Sequence, residues 1–218
     1  MENIFNKIFS TKEMRKEIIV KSLAEFKKNG IRKMTVQQLA AQLGISTKTL
    51  YKHFHDKEKL LEACMTLYYS QLHGEILEVL ALPYSPAVRL IRLWIGATKL
   101  DFGTTHVFFG ELNYYYPALQ DKIIRKYEKK FGAPILMLID EGIDKGFFRK
   151  ELNASLILQG CASIYSLLTR TSDFKKFRVD GFLLAENIMG SYFRGLCTKK
   201  GLQEIDKNQE LTSFTRNI

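Results

Sequence analysis

Between Thr35 and Phe54 the chain sets two short amphipathic segments on either side of Gly44, and each opens with a residue able to cap a helix. Thr35-Val36-Gln37-Gln38 has the form of a capping box, in which the threonine hydroxyl and the glutamine side chain satisfy free N–H groups of the first turn. Val36, Leu39, Ala40 and Leu43 follow at helical spacing and predict one buried face. Gly44 ends that helix after about two turns. Ile45 plugs the angle behind it, and Ser46 caps a second short helix from Thr47 to about Phe54. Leu50 and Phe54 lie four residues apart and point inward, while Thr47 with Tyr51, and Lys48 with Lys52, share outward faces. Two helices this short, joined by a turn this tight, predict a helix-turn-helix. Its second helix suits the major groove of DNA, because a helix with side chains is about 10–12 Å across and the groove about 12 Å wide.

The flanks agree with that reading. Met14, Ile18, Ile19, Leu23 and Phe26 predict a helix over 12–29, with Gly30 where a left-handed cap is wanted. Asp56 caps a fourth helix from Lys57 to about Leu80, apolar along Leu61, Met65, Tyr68, Leu72, Ile76 and Val79. Net charge is +10, and its placement matters more than its total. Residues 1–60 hold 13 Lys/Arg against 6 Asp/Glu, whereas 61–218 hold 20 against 17. A concentrated basic head suits phosphate contacts, since each neutralised phosphate releases condensed counterions. Ser46, Thr47, Lys48, Tyr51 and Lys52 are of the types that reach base edges or phosphates; the plain alternative is a solvated helix face.

Arg15, Ile18, Ile19, Phe26 and Gly30, then Thr35, Leu39, Ala40, Gly44-Ile45-Ser46, Thr49-Leu50-Tyr51, His53-Phe54 and Lys57, resemble the TetR family of transcriptional regulators. The resemblance covers about residues 12–62. It implies an all-α protein: an N-terminal three-helix helix-turn-helix domain (11–62), then a helical effector-binding and dimerisation domain (63–198). It also implies phosphate contacts from Thr35 and Lys57, and DNA-facing roles for Thr47, Lys48, Thr49, Tyr51 and His53. Lys48 stands where many members have Gly or Pro, so a long cation replaces a close backbone approach.

Beyond Pro83 and Pro86 the periodicity predicts helices near 86–101, 104–113, 118–145, 153–171 and 180–198, with a kink or break at Pro134. Residues 199–218 read as a loose polar tail, and Ile4, Phe5, Ile8 and Phe9 as a short apolar stripe that packs on the head or frays. The body is rich in aromatic residues, most of them core. Trp94, His106, Phe109, Tyr115 and Tyr165 are candidates to line an apolar cavity for a small effector. Small residues (Gly160, Ala162, Ser163, Ser166, then Ala185, Gly190, Ser191, Gly195) are interleaved with Leu167, Leu168, Phe182, Leu183 and Phe193. With the family resemblance they point to a two-fold interface of four helices, the alternative being burial within the chain.

No nucleophile–base pair, paired carboxylates or phosphate-binding glycine loop points to catalysis. His53 and His55, two apart, do not share a helix face, so neither a metal nor a cofactor is expected. Cys64, Cys161 and Cys197 lie far apart and read as reduced, buried residues of a cytoplasmic protein without a signal peptide or membrane span. The expected function is a homodimeric repressor on a pseudo-palindromic double-stranded operator, released by a small, largely apolar effector. The rival is an architectural DNA-binding protein with no ligand.

Overall fold

The computed structural model describes residues 2–103, 106–170, 174–177 and 179–208, with side chains for all of these except 2–10, 99–103, 106, 170 and 175. Every regular element among them is helical: α1 (Glu2–Asn29), α2 (Val36–Leu43), α3 (Thr47–His53), α4 (Lys57–Leu80), α5 (Pro86–Gly103), α6 (His106–Tyr115), α7 (Pro117–Asp144), α8 (Ala154–Arg170), α9 (Gly181–Ala185), α10 (Ser191–Leu196) and α11 (Lys199–Lys207). A 3₁₀ turn spans Lys175–Phe177, and a π-helical turn, Glu186–Gly190, joins α9 to α10. The chain divides into two compact units, Met1–Gln71 with Thr104–Arg125, and Leu72–Gly103 with Lys126–Ile218.

The first unit is the head together with α6 and the start of α7. Its core is continuous: Ile18, Phe26, Ile31, Leu39, Leu50, Leu60, Leu61, Met65, Phe108, Leu112 and Ile123 are all almost fully buried. Each such side chain contributes about 1.5–3 kcal/mol by leaving water, which is what holds helices as short as α2 and α3 in place. α6 adds to this core through Phe109, whose ring meets Tyr68 edge-on at 5.6 Å. It also reaches the α1–α2 turn: the Arg32 backbone N–H donates to Glu111 Oε2 at 2.8 Å, and Arg32 Nη1 donates to the Tyr115 hydroxyl at 2.7 Å.

In the second unit α5, the later part of α7, α8 and α9–α10 pack around Leu90, Leu138, Ile139, Phe148, Ile157, Met189, Phe193 and Leu196. Arg89 on α5 is a tie: it donates to Glu141 on α7 at 2.6 and 2.7 Å and to the Leu80 carbonyl at 2.9 Å. The small residues of α8 to α10 divide between two duties. Gly160 faces inward, where an added Cβ would lie 2.7 Å from the Tyr192 hydroxyl, and Leu168 and Phe193 are buried in the chain's own core. Ala162, Ser163, Ser166 and Leu167 remain exposed along α8 with Leu156, as do Leu183, Ser191 and Gly195 further on.

Three expectations are corrected. α7 runs unbroken through Pro134, so the proline does not split it. The carbonyl that Pro134 leaves without an N–H belongs to Lys130, an exposed residue, where water can take the place of the lost donor. Residues 199–207 are a docked helix and not loose tail: Thr198 caps it by accepting from the Gly201 N–H, and its own hydroxyl donates to the Gly146 carbonyl at 2.7 Å. Gly201 is buried so tightly that a Cβ there would lie 2.2 Å from the Phe147 carbonyl oxygen. At the other end, α1 continues back to Glu2 instead of beginning near Lys12. The apolar stripe Ile4, Phe5, Ile8 and Phe9 belongs to side chains outside the described residues, as does the stretch 209–218.

Candidate functional site

The α2–turn–α3 unit is built by its caps. The Gln38 N–H donates to Thr35 Oγ1 at 3.2 Å while the Thr35 N–H donates to Gln38 Oε1 at 2.8 Å, so the capping box is complete. Gly44 closes α2 at φ 66°, a left-handed conformation that L side chains adopt only at a cost, and the N–H groups of Gly44 and Ile45 return to Ala41 and Ala40. Ser46 then accepts from the Thr49 N–H at 3.0 Å, opening α3. Each such cap contributes about 1 kcal/mol, a large share for helices of eight and seven residues.

With Leu50 and Phe54 buried, the opposite face of α3 is fixed in space. Lys48, Lys52 and Tyr51 are exposed on it, Tyr51 at 49%. Thr47, Thr49 and His53 are half-buried. The Thr49 hydroxyl lies 2.8 Å from that of Ser46, so these two side chains brace the helix start as well as facing outward. Arg15 of α1 lies over the Phe54 ring at 4.6 Å and pins the far end of α3. Burial, then the charges of Lys52 and Arg15, hold the His53 pKa below its ordinary value, so its imidazole is neutral near pH 7 and can both donate and accept. Eight of the nine expected DNA-facing residues are thus exposed or half-buried at the start of α2 or along α3.

Lys57 is the exception. Its ammonium turns inward and donates to the Ile31 carbonyl at 2.5 Å, 5.9 Å from the centre of the Phe26 ring. Desolvation lowers its pKa. As placed, it ties α4 to the α1–α2 turn, and a phosphate would have to share its remaining N–H donors. Asp56 caps α4 as expected, accepting from the Lys59 N–H at 2.7 Å.

The arrangement is a head that presents one rigid polar helix face with cations at its rim. Residues 18–64 match the profile of bacterial regulatory proteins of the tetR family. The chain is a DNA-binding regulator with a tetR-type head. It is 29% identical to the nucleoid occlusion factor SlmA of Pectobacterium carotovorum over 76% of this chain and 88% of that protein. It is 22% identical to the transcriptional repressor KstR2 of Mycobacterium tuberculosis, over 86% of this chain and 94% of that one. The likeness in fold extends beyond the head: the Bacillus subtilis transcriptional regulator FadR, solved in complex with stearoyl-CoA, superposes with a TM-score of 0.62. That match has 19% identity and covers 80% of this chain and 95% of FadR.

Of the five expected effector contacts, Trp94 and Tyr165 belong to the second unit, and Phe109 and Tyr115 to the first. Trp94 lines an open cleft of about 340 Å³ in the second unit, between α5 and the α9–α10 segment, with Ile205 of α11 at one side. Tyr165 stands behind it, its ring 4.9 Å from that of Trp94 and its hydroxyl donating to the Ala97 carbonyl at 3.1 Å. Phe109 and Tyr115 are placed in the first unit, one in its core and one stacked under Arg32 at 4.7 Å, and neither lines this cleft. The His106 side chain lies outside the described residues. The cleft residues Glu186, Asn187 and Arg194 were missed. Their stretch reads as the small-residue face of an interface helix, and nothing in the amino-acid order marks the π-helical turn that aims them at α5.

Proposed function

We propose that the chain is a repressor that binds a pseudo-palindromic DNA operator as a homodimer in the cytoplasm and leaves it when a small effector occupies the body. The observation that carries the DNA reading is the α3 face. Leu50 and Phe54 anchor the helix, Ser46, Lys48, Tyr51 and Lys52 are exposed along it, and Thr47 and His53 are half-buried beside them. Thr35 at the start of α2 and Ser46 at the start of α3 add exposed helix N-termini suited to phosphates. Lys48 and Lys52 supply charge, while Tyr51 supplies either a ring against a thymine methyl or a hydroxyl for a base edge. Two features support the rest. The exposed small-residue face of α8 fits close approach of a second copy, and the Trp94 cleft favours an effector-controlled protein over a purely architectural one. No catalytic step, metal or cofactor enters this reading.

Electrostatics provides the test. Duplex affinity should fall steeply and linearly on a log–log plot against salt. Lys57→Ala should weaken all sequences alike and lower that slope by about one, with a lower Tm because the Ile31 carbonyl loses its donor. An unchanged slope with the lower Tm would assign Lys57 to structure alone. Affinity independent of salt in the parent would contradict phosphate binding by the head.

A further inference from the structure

We propose that the cleft beside Trp94 binds an amphipathic organic cation, its positive charge held by the Glu186 carboxylate and its apolar part lying against Trp94. This deepens the effector reading above and rests on it for its regulatory meaning. The walls are mostly apolar: Ile91, Trp94 and Ile95 from α5, Met189 and Phe193 from the facing segment, and Ile205 from α11. A space of about 340 Å³ is at the small end of ligand sites and fits a molecule of modest size.

Charge decides the class of ligand. The cleft carries two ionisable side chains, Glu186 and Arg194. Arg194 is already committed, its Nη1 donating to Asp206 Oδ1 at 2.8 Å. An anionic ligand would have to compete with Asp206 for it. The Glu186 carboxylate has no hydrogen bond or ion pair among the described residues. The charge left uncompensated on the wall is therefore negative. Trp94 offers the ring type that attracts a cation most strongly. Its ring packs against Tyr165 at 4.9 Å and Phe193 at 5.3 Å, which fix its orientation.

The backbone adds an independent pointer. Glu186 opens the π-helical turn Glu186–Gly190, in the middle of an otherwise regular helical segment. Such turns are rare, and they occur often at functional sites, where the extra residue re-aims side chains. Here the turn contributes Glu186, Asn187, Met189 and Gly190 to the same cleft.

Trp94 is the chain's sole tryptophan, so its emission reports on the cleft directly. Benzyltriethylammonium titrated into the full chain should change that emission saturably, and decanoate should not. Glu186→Gln should weaken the cation response at least ten-fold with the circular dichroism unchanged. Gly190→Arg should abolish it by supplying a resident cation, because the nearest atom to a Cβ at this position is Glu186 Cγ at 3.8 Å and a side chain has room. Unaltered Trp94 emission with the cation, equal binding by Glu186→Gln, or a preference for decanoate would each overturn the proposal. Anisotropy of a labelled duplex in the same titration separates the two readings. Cation binding without duplex release leaves the cleft assignment standing and contradicts ligand-controlled repression. Duplex binding with a silent Trp94 leaves the regulator standing and overturns the cleft assignment.

Discussion

Replacing Tyr51 or Lys48 by alanine is expected to remove about 1–3 kcal/mol of discrimination between the operator and random duplex at each affected base pair, with much smaller loss of non-specific binding. Both side chains are exposed on α3, whose Leu50 and Phe54 are buried. Neither contributes to the core, and the side-chain cap that opens α3 lies at Ser46, so folding should be untouched. Lys48 faces out from the first turn of the helix, where a helix lying in the major groove makes its base contacts. If the cation reads a guanine, Lys48→Ala relaxes selectivity at one position of each half-site. If it meets only phosphate, the loss is uniform and the salt slope falls by about one. Competition binding against the operator and a scrambled duplex checks this. Unchanged selectivity in both variants, with the Tm of the parent, would take α3 out of the groove.

The second large effect concerns assembly. Leu167→Arg on α8 should yield a monomer whose affinity for a palindrome is about 10²-fold or more below that of the parent, while binding to a single half-site survives. Leu167 and Leu156 are 39% and 71% exposed on a helix face otherwise lined by Ala162, Ser163 and Ser166. Small side chains there let two helices approach closely, and the leucines supply the apolar area. A two-fold partner would fix two α3 helices about 34–36 Å apart, or a multiple of the DNA repeat, for successive major grooves. The second contact then benefits from an effective concentration that a monomer lacks. Sedimentation of the parent and the variant at micromolar concentration checks it. A parent that sediments as a monomer and still binds a palindrome tightly would contradict the dimer.

The head was legible in the sequence because every signal that shapes it is local. Thr35, Ser46 and Asp56 cap the helices they precede, and Gly44 ends α2 within its own turn. The inward period of Leu39, Leu50 and Phe54 needs no distant residue to be read. The placement of Lys57 was not legible, for the opposite reason. Its ammonium is drawn to the Ile31 carbonyl, a contact set by the packing of α1 against α4 and invisible in the residues around it. The same holds for α11, whose Leu202 and Ile205 make too thin a stripe to stand alone. It is held by the close approach of Gly201 to Phe147 and the bond from Thr198 to Gly146. In the body, aromatic content indicated that a cavity could exist but not which rings share it. Trp94 faces the cleft, Tyr165 supports it, and Phe109 went to the core of the first unit.

α3, set by its Ser46 cap and by Leu50 and Phe54, is expected to read DNA sequence as one half of a symmetric pair. Selecting duplexes from a random pool with the purified chain tests it most directly. A pseudo-palindrome with half-sites one helical turn or a multiple apart should be enriched, and the Tyr51→Ala, Lys48→Ala double variant should lose that enrichment. A pool that stays random at a salt concentration where the parent binds DNA, or one enriched for a single asymmetric site, would contradict it.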